Sequence, residues 1–278
     1  MNIVTNSRKA LLAGIAMTAC LGFTFNAQAQ DCVISNWQVD GAPTASGLSD
    51  ADAGKQEGDN RRYGGPCGLR VDVDGTERYV TDGSPGGETN YIARFYVFLD
   101  DATPSGPVVL FAANDGTDDQ IQVQYDGGDL SLHVWDSGET EHTLDVAGAG
   151  SGWHSIEFVW EQAADAQIAF IVDGADDVTP SSTIDTSGMT IENAFLGNVN
   201  GQSGSGWIDF DDFDSRRVER PGRLMVGDAD ASGSLTISDL FAVNNELAPG
   251  GDFAAGQPDC DENGSMTIGD LFCVNNLL

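Results

Sequence analysis

The sequence predicts a mostly β protein: an antiparallel β-sandwich of two packed sheets, followed by a small α-helical segment at the C-terminus. Three observations point there. Over residues 31–220 apolar side chains recur at every second position in short runs, the period of half-buried strands and not of helices. Glycine is frequent, 35 of 278 residues, as expected where many tight turns join short strands. Beyond residue 226 the pattern changes to two copies of an acidic loop, each followed by the apolar start of a helix.

Arg8 and Lys9 precede an apolar run over residues 10–25, and Ala27-Gln-Ala29 follows it. A basic start, an apolar stretch and a small-x-small site form the pattern of a cleavable export signal, so residues 1–29 are expected to be removed. The run holds about sixteen residues, short of the roughly 20 a spanning helix needs, so no membrane span is expected in the mature chain. The expectation is a secreted or cell-surface protein. Four cysteines then remain, Cys32, Cys67, Cys260 and Cys273. An even number in an oxidising compartment points to disulfides, with three pairings open. Cys32–Cys67, which pins the N-terminal segment, and Cys260–Cys273, within the tail, are the favoured pair.

The strands follow in order. Ile121, Val123 and Tyr125 share one face, opposite Gln120, Gln122 and Gln124; Leu130, Leu132 and Val134 oppose Ser131, His133 and Trp135. Ile156, Phe158 and Trp160 make another apolar row, then Ile168, Phe170 and Val172, then Ile208 and Phe210. Asp126-Gly-Gly128, Asp136-Ser-Gly138 and Asp173-Gly174 supply turns between them. Residues 36–90 are less regular, and the Gly/Asp-rich stretch 47–58 is expected to form a long loop before an edge strand. Residues 219–224 read as a hinge between a sandwich over 31–220 and a tail over 226–278.

Forty-four acids against 12 basic residues leave a formal net charge of -32, which excludes a nucleic-acid-binding surface built on clustered Lys and Arg. The acids are mostly short: 33 Asp and 11 Glu. That suits a protein kept soluble in salty water, and it suits a binder of hard cations, which take oxygen ligands.

The clearest chemistry lies in the tail. Asp228-Ala-Asp-Ala-Ser-Gly-Ser-Leu-Thr-Ile-Ser-Asp239 repeats 31 residues later as Asp259-Cys-Asp-Glu-Asn-Gly-Ser-Met-Thr-Ile-Gly-Asp270. Each copy has side-chain oxygens at positions 1, 3 and 5, Gly at 6 and a carboxylate at 12, the spacing of a calcium loop. The first loop offers Asp228, Asp230, Ser232, the Ser234 carbonyl and Asp239, and the second Asp259, Asp261, Asn263, the Ser265 carbonyl and Asp270. Thr236 and Thr267, at position 9, are expected to act through water. From Gly227 onward there are nine acids and no Lys or Arg, so without cations this segment should repel itself. Cys260 and Cys273 are both replaced in the first copy, by Ala229 and Ala242, as befits a bonded pair. Over residues 226–278 the chain resembles the dockerin family, whose two loop–helix repeats carry Asp at position 12. The resemblance implies two calcium ions, a small helical module and docking to a cohesin-like partner. The chain departs from the family at loop positions 10 and 11, where it has Ile237-Ser238 and Ile268-Gly269, and its second helix stops at Leu278.

Gly152-Trp-His-Ser-Ile-Glu-Phe-Val-Trp160, Ile168-Ala-Phe-Ile-Val-Asp-Gly174, Leu196-Gly197 and Gly206-Trp-Ile-Asp-Phe-Asp-Asp-Phe213 resemble the laminin-G/concanavalin-like lectin group over residues 91–217. That resemblance implies a jelly roll that recognises a glycan or a surface protein. On the rows opposite the core, Gln122, Gln124, His133 and Trp135, joined by Asp209 and Asp211 of the last strand, are the candidate ligand-binding residues. Amides and carboxylates beside an indole bind sugar hydroxyls and stack on a sugar ring. Asp209 or Asp211 could alternatively serve a calcium site on the rim. No catalytic residues are assigned. The Glu-x-Asp-x-x-Glu strand of jelly-roll hydrolases is missing, Asp209-Phe-Asp-Asp-Phe-Asp214 lacks its glutamates, and Gln120-Ile121 is followed by Gln122 where an alginate-lyase strand has His. The three histidines form no spaced zinc set. The reading is a non-catalytic, calcium-binding recognition protein; the alternatives are a divergent polysaccharide hydrolase or lyase, or a structural surface or matrix component.

Overall fold

The structure is a computed structural model, described for residues 32–37, 45–54 and 61–278. The export signal expected over 1–29 and part of the loop expected over 47–58 lie outside the described residues. No helix among the described residues is long and apolar enough to cross a membrane.

After a short 3-10 turn at Ile34–Asn36, the strands in chain order are β1 (Leu69–Asp74), β2 (Arg78–Asp82), β3 (Asn90–Phe98), β4 (Thr103–Pro104), β5 (Val108–Asn114) and β6 (Asp119–Asp126). They continue as β7 (Asp129–Trp135), β8 (Glu141–Val146), β9 (Trp153–Glu161), β10 (Ala169–Val172), β11 (Asn193–Asn198) and β12 (Ser203–Arg216). Two helices close the chain, α1 (Ile237–Leu247) and α2 (Ile268–Leu277). The first sheet runs β1-β12-β3-β9-β10, with β4 paired to β12, and the second runs β2-β11-β5-β6-β7-β8. Neighbouring strands are antiparallel in both sheets. This is the mostly β sandwich with a small helical tail that the alternation predicts. Segment 69–82 supplies an edge strand to each sheet, β1 to the first and β2 to the second.

The rows read as apolar fill the space between the sheets. Ile121, Val123, Leu130, Leu132, Val134, Ile156, Phe158, Trp160, Phe170, Ile208 and Phe210 are all buried in one core. Its centre is aromatic: Phe111 meets Phe158 at 5.0 Å and Phe95 at 6.2 Å between ring centres. Such burial, worth about 1.5–3 kcal/mol per large apolar side chain, dominates what holds the sheets together. Both favoured disulfides are present, Cys32–Cys67 and Cys260–Cys273, each closing a loop that the unfolded chain would otherwise explore.

Strands β3 and β9 do not alternate; nearly every residue in both is buried. A strand buried on both faces needs a cover on each. The core covers one side of the first sheet. On its other side Tyr63, Tyr96, Phe98 and Trp153 form a second apolar cluster beneath Leu224, with the tyrosine rings stacked at 3.6 Å. The tail lies over that cluster. Trp153 N–H donates to the Glu262 carbonyl (2.9 Å), Tyr63 Oη–H to Oε1 of Glu262 (2.6 Å), Arg61 Nε–H to the Gly264 carbonyl (3.1 Å) and Gly65 N–H to the Gly256 carbonyl (3.1 Å). Arg62 pairs with Glu246 with both side chains buried, and Arg223 pairs with Glu262. Sandwich and tail form one compact unit. Segment 219–224, read as a hinge, is tied to the sandwich: Gly222 accepts from Arg94 (3.0 Å) and donates to Glu157 (2.7 Å), and Leu224 N–H donates to the Tyr96 hydroxyl (2.8 Å).

This cover corrects one expectation. Alternation along the sequence puts Asp209 and Asp211 with Gln122 and Trp135 on one exposed face. They lie on β12 of the first sheet, while Gln122 and Trp135 belong to the second, and both aspartates are buried. Asp209 is held bidentately by Arg70 (2.7 and 2.9 Å), whose guanidinium stacks on Trp207. Asp211 accepts the N–H groups of Tyr63, Gly64 and Asp212. Neither presents an oxygen to a ligand or to a rim calcium ion. Both point away from the core, as alternation requires, but the outside they point to is occupied.

Candidate functional site

The open face is the outer side of the second sheet. There the pleat turns β6 and β7 so that Gln122 pairs with His133 and Gln124 with Ser131, and β8 adds Thr143 beside His133 and Glu141 beside Trp135. Gln122, Gln124, His133 and Trp135, four of the six candidate ligand residues, therefore share one surface. They are partly linked: Gln122 Nε2 donates to Asp119 (2.6 Å), Gln124 Nε2 donates to Gln122 Oε1 (2.7 Å), and the His133 ring bridges Ser131 Oγ and Glu141. Such bonding holds the amides in fixed orientations.

At one end of this face lies a depression of about 470 Å³, lined by Trp135, Gln122 and Gln120 together with acids from two turns. One turn spans β5 to β6, where Asp115 Oδ1 accepts from Thr117 N–H (3.0 Å) and Asp118 N–H (2.9 Å). The other spans β7 to β8, where Asp136 Oδ1 accepts from Gly138 N–H (2.8 Å) and Thr140 N–H (2.9 Å). The His142 hydrogen bond, aided by the Thr140 amide, holds the Asp136 carboxyl below the usual aspartate range. Gln124 and His133 share the face but do not line the depression. Asp115, Asp118 and Glu139 sit in turns beyond the reach of strand alternation, and Asp119 opens β6 at the edge of one of them. Gln120 heads the same row of β6 glutamines as Gln122 and Gln124.

The second candidate is the pair of tail loops. In the first, carboxylate oxygens of Asp228, Asp230 and Asp239 lie within 4.8 Å of one another, and in the second those of Asp259, Asp261 and Asp270 do the same. Matching backbone geometry brings them together. Position 4 is left-handed in both loops, Ala231 and Glu262 at φ 57°, and the glycines at position 6 stand at φ 76° and 79°, where a side chain would be strained. Asp228 accepts the N–H groups of Ser232 (2.9 Å) and Gly233 (2.8 Å), as Asp259 does those of Asn263 (3.2 Å) and Gly264 (2.7 Å). Asp239 and Asp270, at position 12, are completely buried, and each also accepts the N–H of its helix N-cap, Thr236 or Thr267. The hydroxyls of Thr236 and Thr267 cap the helices, accepting from Ser238 N–H (3.2 Å) and Gly269 N–H (3.0 Å). Ser232, Ser234, Asn263 and Ser265 are exposed at the loop rims.

The electrostatics differ between the loops. In the second, burial first and then the charges of Asp270 and Asp261 push the Asp259 carboxyl up to about 8. In the first, the Ser232 hydrogen bond holds Asp230 below the usual range. Three converging carboxylates with no basic neighbour in the loop are a donor set for a hard cation, which would supply the missing positive charge.

Fold and sites together define a class of protein: an antiparallel β-sandwich that offers one polar outer face and carries a two-loop acidic tail on the other. No protein-family model matches the chain, and no curated protein matches it in sequence. Among solved structures it is similar to the receptor-binding domain of botulinum neurotoxin type G, with TM-score 0.40 and 10% identity over 66% of this chain and 43% of that one. It is similar to the receptor-binding domain of a botulinum neurotoxin C/D mosaic, with TM-score 0.47 and 9% identity over 64% and 43%. It is also similar to an alginate lyase, with TM-score 0.43 and 10% identity over 55% and 75%. The chain spans less than half the length of the receptor-binding domains it matches.

Proposed function

We propose that this is an exported, calcium-loaded recognition protein: the outer face of the second sheet takes a glycan, and the tail, rigid when its two loops hold calcium, presents a docking surface. The observation that carries the reading is the duplicated convergence of three carboxylates at positions 1, 3 and 12 around a position-6 glycine. Two loops 31 residues apart that reach the same geometry have a common ligand. The loop carbonyls of Ser234 and Ser265 complete an oxygen set for calcium.

The glycan reading rests on Trp135 and Gln122 at a depression within the range of small-ligand sites, roughly 300–1,000 Å³. The docking reading rests on apolar side chains at matching places in the two helices. Ile237 and Phe241 are 59% and 67% exposed, and Ile268 and Phe272 are 59% and 62%. Four large apolar groups left in water at matching places in the two helices suit a cohesin-like partner. Calorimetric titration of the mature chain should give two tight calcium sites, both lost in the Asp239→Ala, Asp270→Ala double variant. Retention of two tight sites in that variant would refute the ligand assignment, and a blank glycan array would refute the recognition reading.

A further inference from the structure

Building on the glycan reading of the second sheet's outer face, we infer that the same face carries a hydrolytic group: Ser131, His133 and Glu141, which remove acetyl esters from the bound sugar. The pleat of β7 and β8 sets the three side chains on one surface. Ser131 Oγ lies 2.9 Å from His133 Nε2, and His133 Nδ1 lies 2.5 Å from Glu141 Oε1. The role of each atom follows from its chemistry. A carboxylate only accepts, so Nδ1 carries the ring proton; in the neutral ring Nε2 is then the acceptor and the Ser131 hydroxyl the donor. That is the order acyl transfer requires: a nucleophile, a base, and a carboxylate that fixes the base's tautomer. The other two histidines lack it. His142 meets Asp136 through Nε2 and has no hydroxyl partner among the described residues, and His154 stands between two acceptors, Asp173 and the Gly150 carbonyl. Ser131 and His133 are half-buried and Glu141 is exposed, so a substrate and water reach the group from the open side.

A second feature stands across from the hydroxyl. Gln124 of β6 is the cross-strand partner of Ser131, and such partners have Cβ atoms about 4.5–5.5 Å apart. The Asp119 carboxylate accepts from Gln122 Nε2 (2.6 Å), which turns Gln122 Oε1 toward Gln124, where it accepts one hydrogen of Gln124 Nε2 (2.7 Å). An amide NH2 carries two hydrogens, so one N–H remains beside Ser131 for the oxygen that becomes negative when a carbonyl is attacked. Nothing in the sequence announces this group, because Ser-x-His is an ordinary strand pattern and the acid and the amide come from neighbouring strands.

In the reaction His133 Nε2 takes the Ser131 hydroxyl proton as Oγ bonds the ester carbonyl carbon. The carbon–oxygen bond to the sugar then breaks, and the proton passes from Nε2 to the departing sugar oxygen. A water molecule, deprotonated by the same nitrogen, attacks the acetyl-serine, and acetate leaves as Oγ regains a proton from Nε2. Ser131 and His133 are the catalytic residues; Glu141 touches no reacting atom and is a positioning residue. The substrate class follows from the row. Trp135 is four residues along β7 from Ser131, roughly 13 Å, so a sugar chain stacked on the indole lays a later unit over the hydroxyl. Ser131 stands on the sheet face outside the depression, a shelf that holds the sugar and not a long acyl tail. The acyl group is therefore the smallest, acetyl.

The test gives the full calcium-loaded chain three probes: a fluorophosphonate ester, 4-nitrophenyl acetate, and a panel of partly O-acetylated tetrasaccharides of xylo, manno and gluco configuration. Peptide mass spectrometry should find one phosphonate adduct, on Ser131. Acetate release from a tetrasaccharide should fall about a hundredfold or more in Ser131→Ala and in His133→Ala, with melting temperatures unchanged. Glu141→Gln should lower kcat about tenfold or more with KM unchanged, and Glu141→Asp should restore part of it. Trp135→Ala should raise KM for the tetrasaccharide and leave 4-nitrophenyl acetate turnover as it is, while the control Ser182→Ala should alter neither. Binding of a tetrasaccharide with no adduct and no acetate release would overturn the hydrolytic group and leave the glycan reading standing. An adduct and nitrophenyl turnover that both depend on Ser131, with no tetrasaccharide bound or cleaved, would keep the hydrolytic group and remove its sugar substrate. Turnover that survived Ser131→Ala but not His133→Ala would assign it to the imidazole alone and overturn the serine as nucleophile.

Discussion

Asp209 shows how much a single carboxylate's surroundings decide. Its two oxygens meet the Arg70 guanidinium, Arg61 lies 3.3 Å away, and no water reaches the group. Burial raises its pKa, with the two arginines opposing the rise. Removing one partner of such a pair leaves the other charge buried, which costs about 3–5 kcal/mol. Asp209→Ala should therefore lose stability of that order in urea denaturation. His154 is the second residue with a readable consequence. Its ring bonds both Asp173 (2.9 Å) and the Gly150 carbonyl (3.0 Å). Burial alone lowers its pKa, but the Asp173 hydrogen bond and charge, with the Gly150 carbonyl, prevail and raise it. A histidine whose folded pKa is raised contributes stability that is complete below its unfolded value of about 6.5 and lost as pH rises through the folded one. Thermal denaturation of the wild type should show a melting temperature that falls across that window, and His154→Asn should flatten the fall. Neither environment was legible in the sequence, because each is assembled from residues far apart along the chain.

The loop–helix repeats are the elements whose chemistry was plainest in the sequence, because each cage is built within twelve consecutive residues. Yet the two repeats are not equivalent, and their glycines expose the difference. Gly233 has open space where a Cβ would go, whereas a Cβ on Gly264 would meet the Phe98 ring at 2.4 Å and Arg61 at 2.9 Å. Both stand at positive φ, so an alanine at either place strains the backbone by about 1 kcal/mol. Gly264→Ala should add a steric conflict with the sandwich and lower the melting temperature clearly more than Gly233→Ala. Equal effects would mean that the second loop is not seated on the first sheet. Strands β6 and β7 were equally legible, since alternation over consecutive residues specifies which side chains share a face. The acids of the turns that wall the depression were not, because turn side chains follow no such period.

Across the molecule, the second cage and the sandwich are physically joined. Glu262, between Asp261 and Asn263 of the second loop, receives Trp153 N–H, the Tyr63 hydroxyl and Arg223. Anything that orders this loop therefore also orders the cover of β3 and β9. A ligand bound only by the folded state stabilises it by RT ln(1 + [L]/Kd), about 2.7 kcal/mol at a hundredfold excess over Kd. Calcium should raise the melting temperature of the whole chain, and a chelator should speed hydrogen exchange at the Tyr63 and Trp153 amides. A sandwich whose melting and exchange ignore calcium would show that the tail merely rests on it.

Local pattern alone pointed to the core-facing rows of β6, β7, β9, β10 and β12, the two carboxylate clusters and the polar row of Gln122, Gln124, His133 and Trp135, and it left the disulfide pairing open. These rows and clusters depend on periods and spacings within a dozen or so residues. Which outer face stays open was decided elsewhere, by contacts such as Arg61 to Gly264, 203 residues apart. Those contacts cover the first sheet, bury Asp209 and Asp211, and leave the second sheet facing water with Gln120 unmatched. Alternation states that two side chains point the same way; only packing between distant segments settles whether solvent, a partner or the chain itself lies in that direction.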